Sequence, residues 1–403
     1  MNHGDFIARI KAFNYLFPFK PGFIPLTISS ENIMETERFT VHYSIDAPDM
    51  NTAEQIANDI TVEQTVEIPF DCIPQKHFEE GLIGRIESLE AGEKCFHTSI
   101  SFRSDITSFQ VTQFLNVLYG NISLKTGIKV VDIAFSPSFY SRFRGPALGI
   151  GGLRKLTSVY NRPLACTALK PMGLSIDGLV SMAESFTAGG IDLIKDDHGI
   201  TDQEFHRFEE RVTRCADAVE RVNSSTGGNT LYFPCVSGTF DTVEKQVQLA
   251  VSRGIKGILI APMLSGPDTV RYLSEKYRIV IMAHPAFTGS FFANRFSGIS
   301  PSVLLGKIFR LIGADISVFP NWGGRFPLSK DDCTGIAEAL REESGWRGAF
   351  PCPAGGMNLN RLPEMISVYG KETVLLIGGA LMQDKRGIEK STSDFMERIR
   401  SIR

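Results

Sequence analysis

Short apolar runs separated by amphipathic segments dominate the chain from Pro163 onward. Eight of these runs are predicted to be strands: Pro163–Leu169, Ile191–Asp197, Thr230–Val236, Gly257–Met263, Ile279–His284, Ile316–Pro320, Gly348–Pro351 and Val374–Gly379. They recur about every 30 residues and are apolar throughout, which is typical of parallel strands covered on both faces. Eight strand–helix repeats of this length predict an α/β fold built on a (β/α)₈ TIM barrel. A doubly wound open sheet is the structural alternative, although no GxGxxG string follows the first strand.

A smaller α+β region precedes the barrel. Its predicted strands are Phe39–Asp46, Gly81–Leu89 and Cys95–Arg103, and its predicted helices are Thr52–Ile60 and Ser108–Leu118. We therefore predict a ferredoxin-like α+β domain over residues 36–144 and the barrel over residues 145–403, with the glycine-rich segment Gly145–Gly152 at the boundary. Residues 1–35 are rich in Phe and Pro without any period, and are predicted to be an N-terminal extension.

Composition and charge exclude several classes of protein. The 42 Lys and Arg residues stand against 45 Asp and Glu residues, and a formal net charge of −3 gives no indication of nucleic-acid binding. The apolar runs are much shorter than the ~20 residues that a membrane span needs, and no signal-peptide pattern opens the chain. We expect a soluble cytoplasmic protein. Seven scattered cysteines without CxxC spacing predict neither a disulfide framework nor a zinc site, and suit small buried side chains.

The clearest candidate site follows the second barrel strand, because TIM barrels carry their active sites at the carboxyl ends of the strands. Alternate side chains of a strand share a face, so Lys195 and Asp197 can both project into the barrel opening, with His198 beside them. Asp and His are metal ligands, and the Asp oxygens suit Mg²⁺. An unmodified lysine cannot ligate a metal, but a carbamate formed with CO₂ would supply two oxygens. A Lys195–Asp197 salt bridge that closes the barrel is the alternative.

Other strand ends carry further candidates. Lys170 follows the first strand and can transfer protons if it is partly desolvated, although a surface lysine is the alternative. His284 follows the fifth strand as a substrate donor or a core histidine, and Asn321 follows the sixth. Two glycine pairs follow strands seven and eight, where barrels commonly bind phosphate on backbone N–H groups. These pairs are Gly355-Gly356 and Gly378-Gly379.

Three strings in the barrel carry a family resemblance: Thr167–Pro171, Gly189–His198 and Ala354–Gly356. They resemble the large subunit of ribulose-bisphosphate carboxylase and, more narrowly, its RuBisCO-like (form IV) relatives. The similarity runs from about Phe39 to the C-terminus, and the Gly-Gly-x-Asp-x-x-Lys-Asp-Asp string is highly specific. The resemblance implies that Lys195 is carbamylated and that Asp197 and His198 stand at metal-ligand positions for Mg²⁺.

The same resemblance implies roles for residues outside the metal cluster. Lys170 is expected to transfer protons and His284 to be an active-site histidine. Glu63 and Asn121 match amino-domain residues that this family inserts into the active site of a neighbouring subunit, which implies at least a head-to-tail homodimer with shared sites. We expect the two glycine pairs and Arg325 to bind a phosphorylated substrate.

Several positions depart from the carboxylase pattern. His198 replaces a glutamate ligand, Met172 a second catalytic lysine, Pro285 an arginine and Ala354 a serine. The loop after strand six has no lysine, and Arg325 does not reproduce a mobile ammonium group. CO₂ fixation on ribulose bisphosphate is therefore excluded.

The remaining chemistry is formation of a Mg²⁺-stabilised enediolate on a phosphorylated sugar derivative. Methionine-salvage enolases generally carry a base lysine where this chain has Asn121, and a glutamate where it has His198. Decarboxylation needs no base that abstracts a carbon-bound proton, so the sequence favours decarboxylation of 3-oxo-isoapionate 4-phosphate. The alternatives are 2,3-diketo-5-methylthiopentyl-1-phosphate enolase, 5-methylthioribulose-1-phosphate isomerase and, from another class, a non-catalytic binding protein.

Overall fold

The computed structural model of the protein describes residues 36–401. The N-terminal extension predicted over residues 1–35 lies outside the described residues, and the division at residue 145 stays a prediction.

A five-stranded sheet forms the amino-terminal part of the described chain. Its strands are β1 (Arg38–Ile45), β2 (Arg85–Ala91), β3 (Phe96–Arg103), β4 (Ile128–Ala134) and β10 (Gly298–Ile299), in the order β10-β4-β1-β3-β2. β1 pairs antiparallel with both β3 and β4, and every second residue of β1 is buried. The sequence pattern did not predict β4, because a bulge opposite His42 and Tyr43 shifts its buried positions and interrupts the alternation.

Eight parallel strands form the predicted barrel, and the open-sheet alternative is wrong. They are β5 (Leu164–Leu169), β6 (Leu193–Asp196), β7 (Leu231–Phe233), β8 (Gly257–Ile260), β9 (Val280–Ala283), β11 (Ile316–Pro320), β12 (Phe350–Ala354) and β13 (Val374–Leu376). Each strand pairs with its neighbours in chain order, and β13 pairs with β5. Between β7 and β8, the N–H of Val236 donates to Leu259 O at 2.9 Å and the N–H of Leu259 donates to Pro234 O at 2.9 Å. These two bonds complete the ring.

Helices cover both sheets. The α-helices are Met50–Glu63, Gln75–Glu79, Val111–Tyr119, Pro137–Arg142, Gly149–Thr157, Ile176–Ala188, Phe208–Thr226, Phe240–Ser252, Pro262–Ser265, Pro267–Tyr277, Gly289–Phe292, Phe309–Leu311, Lys330–Arg341, Leu362–Tyr369, Gly379–Met382 and Ile388–Ser401. A π-helical segment spans Ser302–Ile308. Between residues 36 and 401, no helix is both long enough and apolar enough to cross a membrane.

The barrel interior is filled by alternate side chains of the strands. They include Leu164 and Cys166 from β5, Leu193 from β6 and Val280 and Met282 from β9. The intervening residues pack outward against the helices. Because the alternation continues past the strand ends, the residues two and four positions after the last interior ones also face inward. These carboxyl ends form the opening that we call the barrel mouth.

The loop after β9 connects the barrel to the N-terminal sheet. Its short strand β10 pairs in parallel with β4. The N–H of Gly298 donates to the Tyr119 hydroxyl at 2.8 Å, and Lys129 donates to the carbonyl of Asn294 at 3.1 Å. The segment that begins with His284 is therefore fixed at its far end to the smaller sheet.

Asp315 fixes the opposite end of the barrel. Its fully buried carboxylate accepts hydrogen bonds from the backbone N–H groups of Leu148 at 2.9 Å, Gly149 at 2.6 Å and Ile281 at 2.9 Å. Burial raises the pKa of Asp315 to about 6, although these donors act in the opposite direction. The folded chain therefore binds this proton more tightly than the unfolded chain does.

Asp315→Asn is expected to change how stability depends on pH. A carboxyl whose pKa is about 6 when folded and near 4 when unfolded loses stabilisation as the pH rises between those values. The wild type should lose about 3 kcal/mol of unfolding free energy relative to the variant between about pH 3 and 7, and nothing further above pH 7. Thermal and urea unfolding at several pH values measure this difference. The unfolding free energy of the exposed control Glu343→Gln should depend on pH as that of the wild type does. If Asp315→Asn also follows the pH dependence of the wild type, the prediction is contradicted.

Candidate active site

The residues at the end of β6 face the two sides of the barrel wall in alternation. Leu193 packs in the barrel interior, whereas Ile194 packs outside it. The same alternation places Lys195 and Asp197 on the inner side and Asp196 on the outer side. The two residues predicted from the sequence to share the barrel mouth therefore do so.

A buried network holds Asp196 on the outer side. Its carboxylate accepts hydrogen bonds from the Tyr232 hydroxyl at 2.7 Å, from the Cys235 N–H at 3.1 Å and from Arg211 Nε at 3.3 Å. The side chains of Asp196 and Arg211 are completely buried. The Arg211 guanidinium also donates to the carbonyl of His206 at 2.8 Å. No motif in the sequence predicts this network, which fixes the direction of the residues on either side of Asp196.

Lys195 is buried without a negatively charged partner. Its side chain is 3% exposed, and Nζ donates to the carbonyl of Asp196 at 3.0 Å. No carboxylate of the described residues lies within 4.0 Å of Nζ, so the structure does not form the alternative salt bridge with Asp197. An unpaired ammonium group in this position is energetically costly, whereas a neutral amine can react with CO₂.

Asp197 and His198 lie together at the barrel mouth. Nδ1 of His198 is 3.7 Å from Oδ2 of Asp197, and both side chains are partly exposed. The interaction with His198 and the positive charge of Lys195 lower the pKa of Asp197 to about 2. Asp197 is therefore ionised at neutral pH, as a metal ligand must be.

His284 joins this cluster from β9. Its ring stacks on the ring of His198, with centroids 4.1 Å apart and an interplanar angle of 13°. Burial and the nearby charge of Lys195 lower the pKa of His284 to about 2. Nδ1 accepts a hydrogen bond from the N–H of Ala286 at 3.2 Å. The neutral ring therefore carries its hydrogen on Nε2 and can donate it.

Lys170 lies beside the glycine pair that follows β13. A β-carbon added to Gly378 would be 3.1 Å from Lys170 Nζ. Interior residues alternate along β5 from Leu164 through Cys166, which puts Lys170 on the inner side of the wall. The pairing of β5 with β13 explains why the proton-transfer candidate and the predicted phosphate site are neighbours.

The two glycine pairs present free backbone donors. Gly355 has φ +91° and Gly356 has φ +67°, both in the left-handed region that favours glycine. In the part of the chain that the structure describes, the backbone N–H groups of Gly355, Gly356, Gly378 and Gly379 have no hydrogen-bond acceptor. Such donors at the mouth of a barrel can bind a phosphate group.

Arg361 was missed by the sequence analysis. Its Nη1 would be 3.3 Å from a β-carbon on Gly356, and its guanidinium donates to the carbonyl of Trp322 at 3.3 Å. Arg361 also pairs with Glu364 at 3.2 Å. The only signal in the sequence was an arginine five residues after the glycine pair. The Arg361 guanidinium places a positive charge between the loops after β11 and β12, beside the free N–H groups.

The remaining candidates are distributed over two other regions. Nδ2 of Asn121 donates to Oε1 of Glu63 at 3.0 Å, so these two residues of the N-terminal region are paired, and their role in a neighbouring subunit's site stays a prediction. Arg325 is exposed on the loop after β11, with its guanidinium 5.1 Å from the ring centroid of Phe326. Its role in phosphate binding stays a prediction.

Asn321 does not face the barrel mouth. Its buried amide accepts a hydrogen bond from the Tyr369 hydroxyl at 2.8 Å and lies 3.1 Å from the sulfur of Met365. Val318 is an interior residue of β11, and alternation therefore turns Asn321 outward. This strand-end residue stabilises the packing of helix Leu362–Tyr369 against the barrel.

A metal ion at this site needs a modified lysine. Among residues 36–401, no group of three or more His, Cys, Asp and Glu side chains could hold a metal ion. Asp197 and His198 are therefore short of a ligand. A carbamate on the buried, unpaired Lys195 would supply oxygens on the same inner face, and carboxylate-type oxygens suit Mg²⁺. The residues present thus fit a Mg²⁺ site that depends on carbamylation.

Comparisons with known proteins identify relatives of this chain. The catalytic-domain model of the ribulose bisphosphate carboxylase large chain matches residues 149–320. Over 368 residues the chain is 38% identical to the 5-methylthioribulose-1-phosphate isomerase of Rhodospirillum rubrum, which covers 90% of this chain and 96% of that protein. It is 31% identical over 348 residues to the 2,3-diketo-5-methylthiopentyl-1-phosphate enolase of Geobacillus kaustophilus, covering 82% of this chain and 83% of that one.

Solved structures show the same fold. The crystal structure of a Rubisco-like protein from Rhodopseudomonas palustris matches with a TM-score of 0.83 and 35% identity, covering 91% of this chain and 99% of that chain. The octameric ribulose-1,5-bisphosphate carboxylase/oxygenase of Pyrococcus horikoshii matches with a TM-score of 0.84 and 25% identity over 90% of this chain and 89% of that chain.

Lys195→Met is expected to stabilise the metal-free protein while it removes the metal response. In chelator and CO₂-depleted buffer, the variant should unfold at a temperature at least as high as the wild type, because an unsatisfied buried polar group costs about 1–3 kcal/mol and a charged one more. Addition of Mg²⁺ with bicarbonate should raise the unfolding temperature of the wild type and of the exposed control Lys155→Met only. Calorimetry measures both effects. If Mg²⁺ and bicarbonate leave the unfolding temperature of the wild type unchanged, the carbamate site is refuted.

Proposed function

Because this chain belongs to the ribulose bisphosphate carboxylase large-chain family and resembles its RuBisCO-like members, we propose that it carries out metal-dependent enediolate chemistry on a sugar phosphate. The proposed reaction is isomerisation, with 5-methylthioribulose 1-phosphate as the best candidate substrate. The single observation that carries this choice is Lys170, an amine on the inner wall next to Gly378. The 38% identity over 90% of the chain to an isomerase with that substrate supports it.

Carbamylated Lys195, Asp197 and His198 would hold the metal ion. When bound, Mg²⁺ supplies a Lewis acid that stabilises negative charge on a substrate oxygen. The carboxylate of Asp197 is ionised at neutral pH because its pKa is about 2. The Asp196 network contributes by holding Lys195 and Asp197 in the direction that such a site requires.

Lys170 would move the proton. An isomerase takes a proton from one carbon and returns one to another carbon of the same sugar, and a single amine can do both. The neighbouring glycine pair would bind the phosphate, which brings the first carbons of the sugar near Lys170 Nζ. Asn121 has no basic group and is hydrogen-bonded to Glu63, so it does not compete for this role.

His284 would donate a hydrogen bond to the substrate. Its pKa of about 2 keeps the ring neutral at physiological pH, and its Nδ1 is engaged by the N–H of Ala286. The hydrogen on Nε2 is therefore available for a hydroxyl or carbonyl oxygen of the sugar. A neutral donor polarises such an oxygen without introducing a second positive charge beside the metal.

Decarboxylation of 3-oxo-isoapionate 4-phosphate is the second candidate. It also proceeds through an enediolate, and it needs Lys170 only afterwards, to protonate the product. The pairing of Asn121 with Glu63, which leaves no base at the position used by the salvage enolases, is compatible with this reaction. The two reactions differ in the step at which Lys170 acts.

Lys170→Ala is expected to stop isomerisation at its first step. General acid–base groups contribute about 10²–10⁴-fold, so both turnover and deuterium exchange from D₂O should fall by that factor on 5-methylthioribulose 1-phosphate. Mass spectrometry follows the exchange, and the exposed control Lys155→Ala should behave as the wild type. A different outcome would instead establish the decarboxylase. The wild type would release CO₂ from 3-oxo-isoapionate 4-phosphate, Lys170→Ala would keep this release, and neither protein would turn over the methylthio sugar.

We also propose that the protein is a homodimer or larger homo-oligomer whose active sites are shared between subunits. The family resemblance of Glu63 and Asn121 supports this assembly, and the two residues are paired to each other in the N-terminal region. The matching Pyrococcus horikoshii enzyme is described as octameric.

Mixing two inactive variants is expected to restore activity if the sites are shared. Lys195→Ala disables the barrel and Asn121→Ala the N-terminal region, so a mixed dimer has one intact site. Random exchange should recover roughly a quarter of the wild-type activity. The double variant Lys195→Ala/Asn121→Ala mixed with Lys195→Ala is the control and should stay inactive. Subunit exchange seen by mass spectrometry without recovered activity would rule out shared sites.

A further inference from the structure

The turn after β9 holds an aromatic side chain in an unusual conformation. Phe287 has φ +69° and is 63% exposed. The N–H of Thr288 donates to the carbonyl of Pro285 at 3.1 Å, and its hydroxyl donates to the same oxygen at 2.6 Å. Thr288 is buried, so the turn is fixed on one side by the protein interior. Its other side is fixed by His284, whose ring accepts from the N–H of Ala286.

Nothing in the packing of the turn requires phenylalanine at its tip. The third position of such a turn, when φ is positive, normally carries Gly or Asn, because a bulky side chain there is strained by about 1–3 kcal/mol. An exposed phenyl ring also gains little from burial. Phe287 is thus unfavourable in both backbone conformation and exposure, and such positions concentrate where a ligand is bound.

The position of Phe287 in the barrel identifies the part of the ligand that it would contact. Leu264, 62% exposed, lies in the short helix Pro262–Ser265 that follows β8, the strand next to β9. In the closed ring, β8 lies opposite β13 and β9 lies opposite β5. The segments that carry Phe287 and Leu264 therefore follow strands across the ring from those that precede Lys170 and Gly378, and β6 lies between the two sides.

We propose that Phe287, assisted by Leu264, is the specificity-determining residue for the end of the substrate opposite the phosphate. Its ring packs against an uncharged, apolar group, so the site selects sugar monophosphates with an apolar far end over those that end in a hydroxyl, a carboxylate or a second phosphate. This inference rests on the proposed function, because it takes the phosphate to bind at the glycine pairs.

Alkyl phosphates test the contact without any reaction. Calorimetry with the full-length protein and methyl, propyl and pentyl phosphate should show wild-type affinity that rises about fourfold for each methylene that reaches the ring. Phe287→Gly, which removes the ring and suits the positive φ, should bind methyl phosphate as the wild type does but lose this rise. Its unfolding temperature should not fall. Phe287→Asn, a second residue that tolerates this conformation, should behave in the same way.

Tyr160 provides a matched control. It is an exposed aromatic residue, 54% accessible, that precedes β5 at the opposite end of the barrel. Tyr160→Gly should retain the wild-type rise in affinity. A flat wild-type series, or equal slopes in the wild type and Phe287→Gly, overturns the inference. Loss of the slope accompanied by a changed molecular mass in light scattering also overturns it, because Phe287 then contacts a second copy of the chain.

The outcomes separate this inference from the proposed function. A chain that isomerises 5-methylthioribulose 1-phosphate while Phe287→Gly keeps the wild-type slope has the proposed activity without the proposed selectivity. A chain with no isomerase activity whose alkyl-phosphate slope depends on Phe287 has the apolar contact, and its reaction must be sought among other monophosphates with an apolar end.

Discussion

The candidate site depends on one constraint, the alternation of side chains along β6. Lys195 and Asp197 can face the barrel mouth only if Asp196 faces outward, and an outward carboxylate needs partners in the layer between barrel and helices. Tyr232, Cys235 and Arg211 provide them. A charge that is both buried and paired in this way cannot rotate inward without leaving Arg211 unpaired, which would cost several kcal/mol. The outer network therefore determines the geometry of the inner pair.

Much of this arrangement is predictable from the sequence because period and alternation are local properties. The eight apolar runs predicted the barrel, and the spacing of Lys195 and Asp197 predicted their common face. Alternation applied one residue further would also have shown that Asn321 faces outward to Tyr369. By contrast, β4 escaped prediction because a bulge interrupts its period. A strand whose alternation is interrupted can be recognised only from its pairing with other strands, which the sequence alone does not show.

Contacts between distant segments are a second kind of feature that the sequence could not reveal, besides the irregular strand β4. Arg361 approaches Gly356 because the loop after β12 folds back toward Trp322, and no spacing rule encodes that approach. The proximity of Lys170 to Gly378 follows from closure of the ring, which joins the first and last strands of the barrel. Closure converts residues that are about 200 positions apart into neighbours. The proton-transfer candidate and the phosphate candidate meet only after that step.

The distribution of charge around the mouth bears on the choice between the two reactions. Apart from the metal site, the basic side chains lie on one side, with Lys170 after β5 and Arg361 after β12. The opposite side, on β8 and β9, presents Leu264, Phe287 and a histidine that burial keeps neutral. A substrate carboxylate directed to that side would lose hydration without gaining a cation, which is unfavourable in a partly buried site.

An apolar end of the substrate has no such hydration to lose, and it would bury its surface against the Phe287 ring. For a decarboxylase, the carboxylate would have to turn toward the metal site or toward the basic groups beside the phosphate. Under the proposed function, this asymmetry argues for a monophosphate with an uncharged far end, and hence for proton transfer over loss of CO₂.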